Sequence, residues 1–164
     1  MMPQPIISPC RTLPGVEVRD SLIHGLGVFA LQNLPKGSDI GRYDGRRYTA
    51  RQIARISWNE KLTYLFGLSD GTTIDGGEGG NATRHLNHAC APNCEAVEEE
   101  DEKGRISVRI MTLKRIKAGQ ELFIDYCLTA DPGASPADYA CHCGAPRCRG
   151  TMLGEVASPL EQAG

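Results

Sequence analysis

Cys141-His-Cys143-Gly-Ala-Pro-Arg-Cys148 places three thiols within eight residues, separated by Gly and Pro that let the chain turn back on itself. Thiolates this close can converge on one soft ion, and zinc takes four such ligands in a tetrahedron. Three local thiols leave one vertex, for which Cys90, Cys94, Cys127, Cys10 and His142 are all candidates by residue type. A ligand distant in sequence would fasten the tail to the body of the protein. Three unligated surface thiols are the poorer reading, because closely spaced exposed cysteines oxidise readily. A second concentration, Arg84-His-Leu-Asn87-His88-Ala-Cys90-Ala-Pro-Asn93-Cys94, packs two Asn, two His and two Cys into eleven positions. That composition suits a site, or a buried hydrogen-bonded turn, more than a plain strand. A Cys/His nucleophile pair fits it poorly, since His88 and Cys90 stand two apart and no orienting acid is evident.

These groups need a scaffold, and the apolar pattern supplies short strands. Val16-Glu-Val18 and Val28-Phe-Ala30 flank His24-Gly-Leu-Gly27, and Pro35-Lys-Gly37 turns the chain into Asp39-Ile-Gly-Arg-Tyr43, so a β meander is expected. Leu62 to Leu68 and Thr72 to Ile74 read as strands around Ser-Asp-Gly. Arg105 to Leu113 alternates Ile106, Val108 and Ile110 with polar neighbours, the pattern of a half-buried strand. Ile53, Ile56 and Glu60 fall at helical spacing behind Thr49, a good capping residue, so a helix is expected between Thr49 and Lys61. Glu98-Glu-Glu-Asp-Glu102, followed by Lys103-Gly104, reads as a solvated hairpin tip, with attraction of a basic peptide as its sharper reading. Residues 1 to 15 hold four prolines and are expected to form a mobile or surface-docked arm. Thr129 to Asp138 reads as a linker to the cysteine cluster.

With 164 residues, 40% of them apolar, the chain can bury the core of one domain. Its 19 Gly, 10 Pro and 5% aromatic content favour a mainly β fold with short helices over long helices. A formal net charge of -2 argues against a one-sided basic field, so direct nucleic-acid binding is not expected. No apolar run reaches the roughly 18 residues that cross a bilayer, and MMPQPIISPC opens without a basic start, so a soluble chain with no membrane partner and no export signal is expected. Seven Cys in such a chain suit metal ligation better than a disulfide framework.

Taken in order, several motifs resemble the SET-domain protein lysine methyltransferases with a cysteine-rich post-SET tail, over about residues 16 to 154. His24-Gly-Leu-Gly-Val-Phe-Ala30 resembles the opening glycine motif of that family, and Lys36-Gly37 through Ile40-Gly-Arg-Tyr43-Asp-Gly45 its next segment. Tyr64-Leu-Phe-Gly-Leu68, Ile74-Asp75 and Gly80-Asn81 lead into Arg84 to Asn93, which resembles the Asn-His-x-Cys-x-Pro-Asn signature. Ala118-Gly-Gln-Glu-Leu-Phe-Ile-Asp-Tyr126 resembles the terminal catalytic motif, and the Cys141 cluster with Arg149-Gly150 the post-SET ending.

The resemblance implies an arm at 1-15, a SET domain at 16-128, a linker and post-SET zinc-binding segment at 129-154 and a tail at 155-164. It implies small curved sheets with a knot-like crossing, in which the segment after Asn87 threads against the segment before Tyr126. It further implies S-adenosylmethionine as methyl donor, held by the backbone of Leu26 and Gly27 with Tyr64, Arg84, Asn87 and His88. A lysine would enter from the other side along a channel lined by Tyr43 and the catalytic Tyr126. His85 stands where the family often has an aromatic residue. Structural zinc would be held by Cys90, Cys141, Cys143 and Cys148. The substrate implied is a basic protein such as a histone tail, met in a bacterial cytoplasm or at nuclear or host chromatin. Ile124 stands in the channel where the family usually carries Phe or Tyr, and its lack of a hydroxyl favours di- or trimethylation. The competing reading is a non-catalytic zinc-bearing module that binds basic peptides.

Overall fold

In a computed structural model the residues described are 9–23, 25–56, 64–126 and 136–153. The expected meander opens the fold. β1 (Val16–Asp20) and β2 (Leu26–Ala30) pair antiparallel from Val16 opposite Ala30 to Asp20 opposite Leu26, closed by the Ser21 N–H donating to the Gly25 carbonyl. β3 (Asp39–Arg42) follows the Pro35-Lys-Gly37 turn, and β4 (Arg46–Tyr48) leads to the helix α1.

Thr49 caps α1 with a full capping box, but the helix covers only Ala50–Ile53 and ends at Ala54, well short of the expected Lys61. None of its residues is buried. Propensity and one cap do not sustain a longer helix in water without an apolar face to bury. The part of that expectation beyond Ile56, like residues 62 and 63 of the next strand, lies outside the described residues.

β5 (Leu65–Gly67) and β6 (Thr73–Asp75) form the hairpin around Ser-Asp-Gly, and β7 is only Asn87–His88. β8 (Cys94–Glu100) and β9 (Ile106–Thr112) form a long hairpin, and β10 is Glu121–Ile124. The strands make three small sheets, ordered β1-β2-β10-β7, β3-β9-β8 and β4-β6-β5. Along β9, Val108, Ile110 and Thr112 point inward and Ser107, Arg109 and Met111 are half-buried, as the alternation predicts. Val16, Val28, Ile40, Ile74, Ile110, Leu122 and Ile124 from all three sheets share one core with Leu86, which caps the 3-10 turn before β7. No helix among the described residues is long and apolar enough to cross a membrane.

The acidic run divides into two parts. Glu98, Glu99 and Glu100 lie on β8, and only Asp101 and Glu102 belong to the turn. Glu98 accepts from both the Ser69 N–H (2.8 Å) and the Ser69 hydroxyl, clamping the β5–β6 turn to β8, while Glu99 pairs with Arg109. Glu98→Gln is therefore expected to lower unfolding free energy by about 1 kcal/mol in urea titrations, whereas Glu102→Gln stays within about 0.5 kcal/mol of the parent.

Of the arm, residues 9–15 are docked. Arg11 bridges to Asn81, its amide donates to the Gly80 carbonyl, and its guanidinium meets Asp44 at 3.1 Å, while Leu13 packs on the core at Gly41. Residues 1–8, His24, Cys127, most of the linker and the 155–164 tail lie outside the described residues; Pro136–Tyr139 forms a short 3-10 turn.

Candidate functional site

The Asn/His/Cys segment begins as a 3-10 turn, Ala82–His85, capped by the Asn81 side chain, which accepts from the Thr83 N–H. It then runs parallel to β10, with Asn87 opposite Phe123 and His88 opposite Ile124. Asn93 fixes this meeting of distant segments: its amide donates to the Glu121 carbonyl and accepts from the Phe123 N–H, both at 2.8 Å. The two segments expected to cross thus lie side by side.

Tyr126 is anchored at both ends. Its hydroxyl donates to the Leu86 carbonyl and its backbone N–H donates to Nδ1 of His88 at 3.0 Å. Burial, then the charge of Glu121, pushes the phenol above its ordinary pKa, so the hydroxyl keeps its proton at neutral pH. Tyr43, 7% exposed, donates its hydroxyl to the Tyr64 carbonyl at 2.6 Å, and burial raises its pKa in the same way. Its ring packs on Phe66 with centroids 5.1 Å apart. Gly76 lies against this ring, where a Cβ would come 3.0 Å from the Tyr43 hydroxyl. Ile124, the last residue of β10 and two before Tyr126, is 4% exposed and belongs to the core that Tyr126 packs against.

The other residues implied to hold a cofactor fall into two groups. Asn87 donates to the Leu26 carbonyl (2.9 Å) and to the Glu121 carboxylate (2.8 Å), whose second oxygen accepts from the Ser21 hydroxyl (2.9 Å). Gly27 lies beside them, where a Cβ would come 2.1 Å from a Glu121 carboxylate oxygen and make that side chain move. Arg84 instead lies over the Tyr64 ring at 5.2 Å, and His85 meets the ring edge at 5.6 Å. His85 thereby supplies an aromatic ring at its position; burial, reinforced by Arg84, lowers its pKa and favours the neutral imidazole.

His88, almost wholly buried, sits between Tyr126 and the cysteines. Because Nδ1 accepts from Tyr126, the proton is assigned to Nε2, which lies 3.4 Å from the Cys90 sulfur. Burial lowers its pKa despite the opposing pull of Asp125, which favours the neutral ring. A nucleophile pair fails on geometry, since Cys90 belongs to a four-thiol cluster and Nδ1 is occupied by an amide.

The ligating sulfurs of Cys90, Cys141, Cys143 and Cys148 all lie within 4.8 Å of one another. Cys90 is 3.8 Å from Cys141 and 3.9 Å from Cys148. A tetrahedron with metal–sulfur bonds of about 2.3 Å needs sulfurs about 3.8 Å apart, so the donor set fits a metal of that size. Burial raises the Cys143 pKa, but the Cys90 and Ala145 amides and the neighbouring thiols outweigh it and bring it down to about 6. Cys141 is pushed up to about 12, chiefly by burial. Four thiols held this close therefore do not all ionise without a cation among them. Cys94 is wholly inside the core, its thiol pushed up to about 12 by burial, and among the described residues neither it, Cys10 nor His142 joins the cluster.

Asn93 stands in the sequence only as a member of its motif, and neither Glu121 nor Asp125 has an assigned role there. The partners of Glu121 lie 34 and 100 residues away, so no local pattern announces it. Asp125 and Arg149 did carry a signal, being opposite charges adjacent to Tyr126 and Cys148; they form a two-pronged ion pair at 2.8 and 3.0 Å.

Comparison with known proteins agrees with this geometry. A family model described as SET domain matches residues 25–127, more than half of the chain. A Chaetomium globosum protein described as histone-lysine N-methyltransferase, H3 lysine-4 specific, is 34% identical over 143 residues, covering 84% of this chain and 13% of that one. A human H3 lysine-36 specific histone-lysine N-methyltransferase is 33% identical over 147 residues, covering 87% and 5%. The chain thus spans a small part of these relatives. Among solved structures, KRYPTONITE in complex with mCHG DNA and SAH matches with a TM-score of 0.70 and 26% identity, over 84% of this chain and 29% of that one. An autoinhibited ctPRC2 bound to S-adenosylmethionine matches with a TM-score of 0.61 and 26% identity, over 72% and 15%.

Proposed function

The chain belongs to the SET-domain family, and from that premise we propose that it transfers methyl groups from S-adenosylmethionine to lysine side chains of a basic, histone-type protein. The observation that carries this reading is the juxtaposition of an anchored Tyr126 with the Asn87–Leu26–Glu121 network on neighbouring strands. The histone-lysine N-methyltransferases among its relatives, and the SAH and S-adenosylmethionine held by its structural neighbours, support it. If histones are the substrate, the protein works at chromatin.

S-adenosylmethionine, when bound, supplies an electrophilic methyl group on sulfur. Leu26, Gly27, Asn87 and His88 would hold it on one side, with Tyr64 and Arg84 as the second group. Tyr43, Phe66 and Tyr126 would line the lysine channel. A lysine amine with an ordinary pKa near 10.4 is protonated at pH 7, and only its neutral form is a nucleophile. An apolar aromatic channel lowers that pKa by desolvation. Both tyrosine hydroxyls keep their protons and donate them in hydrogen bonds to backbone carbonyls, Leu86 for Tyr126 and Tyr64 for Tyr43. What they offer the amine is therefore acceptor lone pairs. These hold its N–H groups and turn the nitrogen lone pair toward the methyl carbon, a gain that comes from alignment. Four thiolates at Cys90, Cys141, Cys143 and Cys148 would hold zinc in a structural role.

We read the product as di- or trimethyllysine. Ile124 offers no hydroxyl to hold a water or restrain a methylated amine. Ile124→Tyr is expected to shift the product toward monomethyllysine in mass spectra taken over many turnovers, and a parent enzyme that stops at one methyl with excess donor contradicts the reading. The activity itself is tested with S-adenosylmethionine labelled in its methyl group and a mixture of core histones. Label in histone above a heat-denatured control supports it; none in histones or in a whole-cell protein extract overturns it.

A further inference from the structure

Asp125 and Arg149 take no part in the chemistry above, yet they join its two halves. β10 ends at Ile124, so Tyr126 lies beyond the last strand pairing, and its N–H is bonded to a side chain instead of a ladder. Its placement therefore depends on what grips the chain at 125 and 126. The Arg149 guanidinium closes on both oxygens of Asp125 at 2.8 and 3.0 Å, in a two-pronged arrangement that fixes direction as well as distance. Both side chains are only about a quarter exposed, at 27% and 24%, so the pair is less screened than an open surface contact. The backbone of the same Arg149 donates to the Cys90 sulfur at 3.3 Å. From Cys90 the contacts continue to His88 Nε2 at 3.4 Å and from His88 Nδ1 back to the Tyr126 N–H at 3.0 Å. The contacts form a closed ring through Tyr126, His88, Cys90, Arg149 and Asp125.

We propose that the Arg149–Asp125 pair is a latch through which the cysteine cluster sets the position of Tyr126, making both positioning residues of the methyl transfer. The inference rests on the function proposed for Tyr126. Loosening the latch leaves the Asn87 network untouched and lets residues 125 and 126 drift, and drift of about 1 Å can cost a reaction up to ~10²-fold. Because the ring is closed, it also loosens the cluster from the other side: loss of Asp125 releases the guanidinium of Arg149, the residue whose backbone N–H reaches the Cys90 sulfur. Second-layer contacts of this kind change metal affinity by about 10–100-fold.

The test is a double-mutant cycle in the zinc-loaded full chain with Asp125→Asn, Arg149→Gln and the pair together, and Arg149→Lys as the conservative variant. Three quantities are read: kcat and KM for S-adenosylmethionine with a histone H3 peptide, and the rate of zinc release to a coloured chelator. Each single change is expected to lower kcat about tenfold with KM for S-adenosylmethionine within about twofold. The double variant falls no further, and Arg149→Lys recovers part of the loss. Zinc release is expected to quicken several-fold in Asp125→Asn as well as in Arg149→Gln. Losses that multiply in the double variant, or kcat and zinc release within twofold of the parent in both singles, overturn the latch. If the parent transfers no methyl, the proposed function fails by itself, and the latch is decided by zinc release from the same five proteins.

Discussion

Tyr126→Phe is expected to lower kcat for methyl transfer by about 10²-fold or more, the range for removing a group that acts in the reacting geometry. The substitution keeps the ring that meets His88 edge-on with centroids 5.4 Å apart, and it keeps the backbone N–H that donates to His88. It removes one oxygen. That oxygen donates to the Leu86 carbonyl and would present its lone pairs to the amine, so two losses follow. The first is structural: an unpaired carbonyl on a residue 2% exposed costs about 1–3 kcal/mol, seen as a modest fall in the thermal midpoint. The second is chemical: the amine loses a partner that orients it, and kcat falls while S-adenosylmethionine affinity by calorimetry stays within about threefold. If Tyr126→Phe keeps more than about half of the parent activity, the role assigned to its hydroxyl is wrong.

Cys90→Ser is expected to weaken zinc binding by about 10²-fold or more, because one of four thiolates carries roughly a quarter of the ~10–16 kcal/mol of a structural site. Cys90 is the link between the 141–148 segment and the Asn/His turn, so the same change detaches the tail from His88 and reduces activity before the core melts. Cys94→Ala is the matched control. Its thiol is sealed in the core away from the cluster, so this change is expected to cost stability and leave zinc content at one per chain. Metal analysis of the two purified variants distinguishes them: zinc kept by Cys90→Ser and lost by Cys94→Ala would overturn the ligand set.

Where the chain carries a strong periodic pattern, the folded protein follows it: Ile106 to Ile110 is a strand with its apolar side inward, and the segments around Gly25 and Gly27 make the first hairpin. The Thr49 cap is present as expected, but the length of its helix depended on burial that residues 50–53 do not obtain. The acidic run was read as a hairpin tip from its charges alone. Whether Glu98 reaches Ser69, 29 residues earlier, depends on how two sheets meet, which local charge does not record. Three cluster thiols were legible by spacing. The fourth, 51 residues before Cys141, was one of five candidates by type and came from ordered motif resemblance. The Glu121 and Asn93 contacts were not legible, since each joins segments about 30 residues or more apart whose meeting is a property of the threading.

Site mapping of histone H3 by mass spectrometry, after incubation with the parent protein and S-adenosylmethionine and beside Tyr126→Phe, tests the central claim most directly. The expected result is methyl groups confined to the side-chain nitrogen of one or a few lysines, added in succession, with the Tyr126→Phe lane at background. Unmodified lysines in histone H3 and in a proteome-wide substrate mixture, from a folded protein whose binding of S-adenosylmethionine is verified by calorimetry, would contradict it.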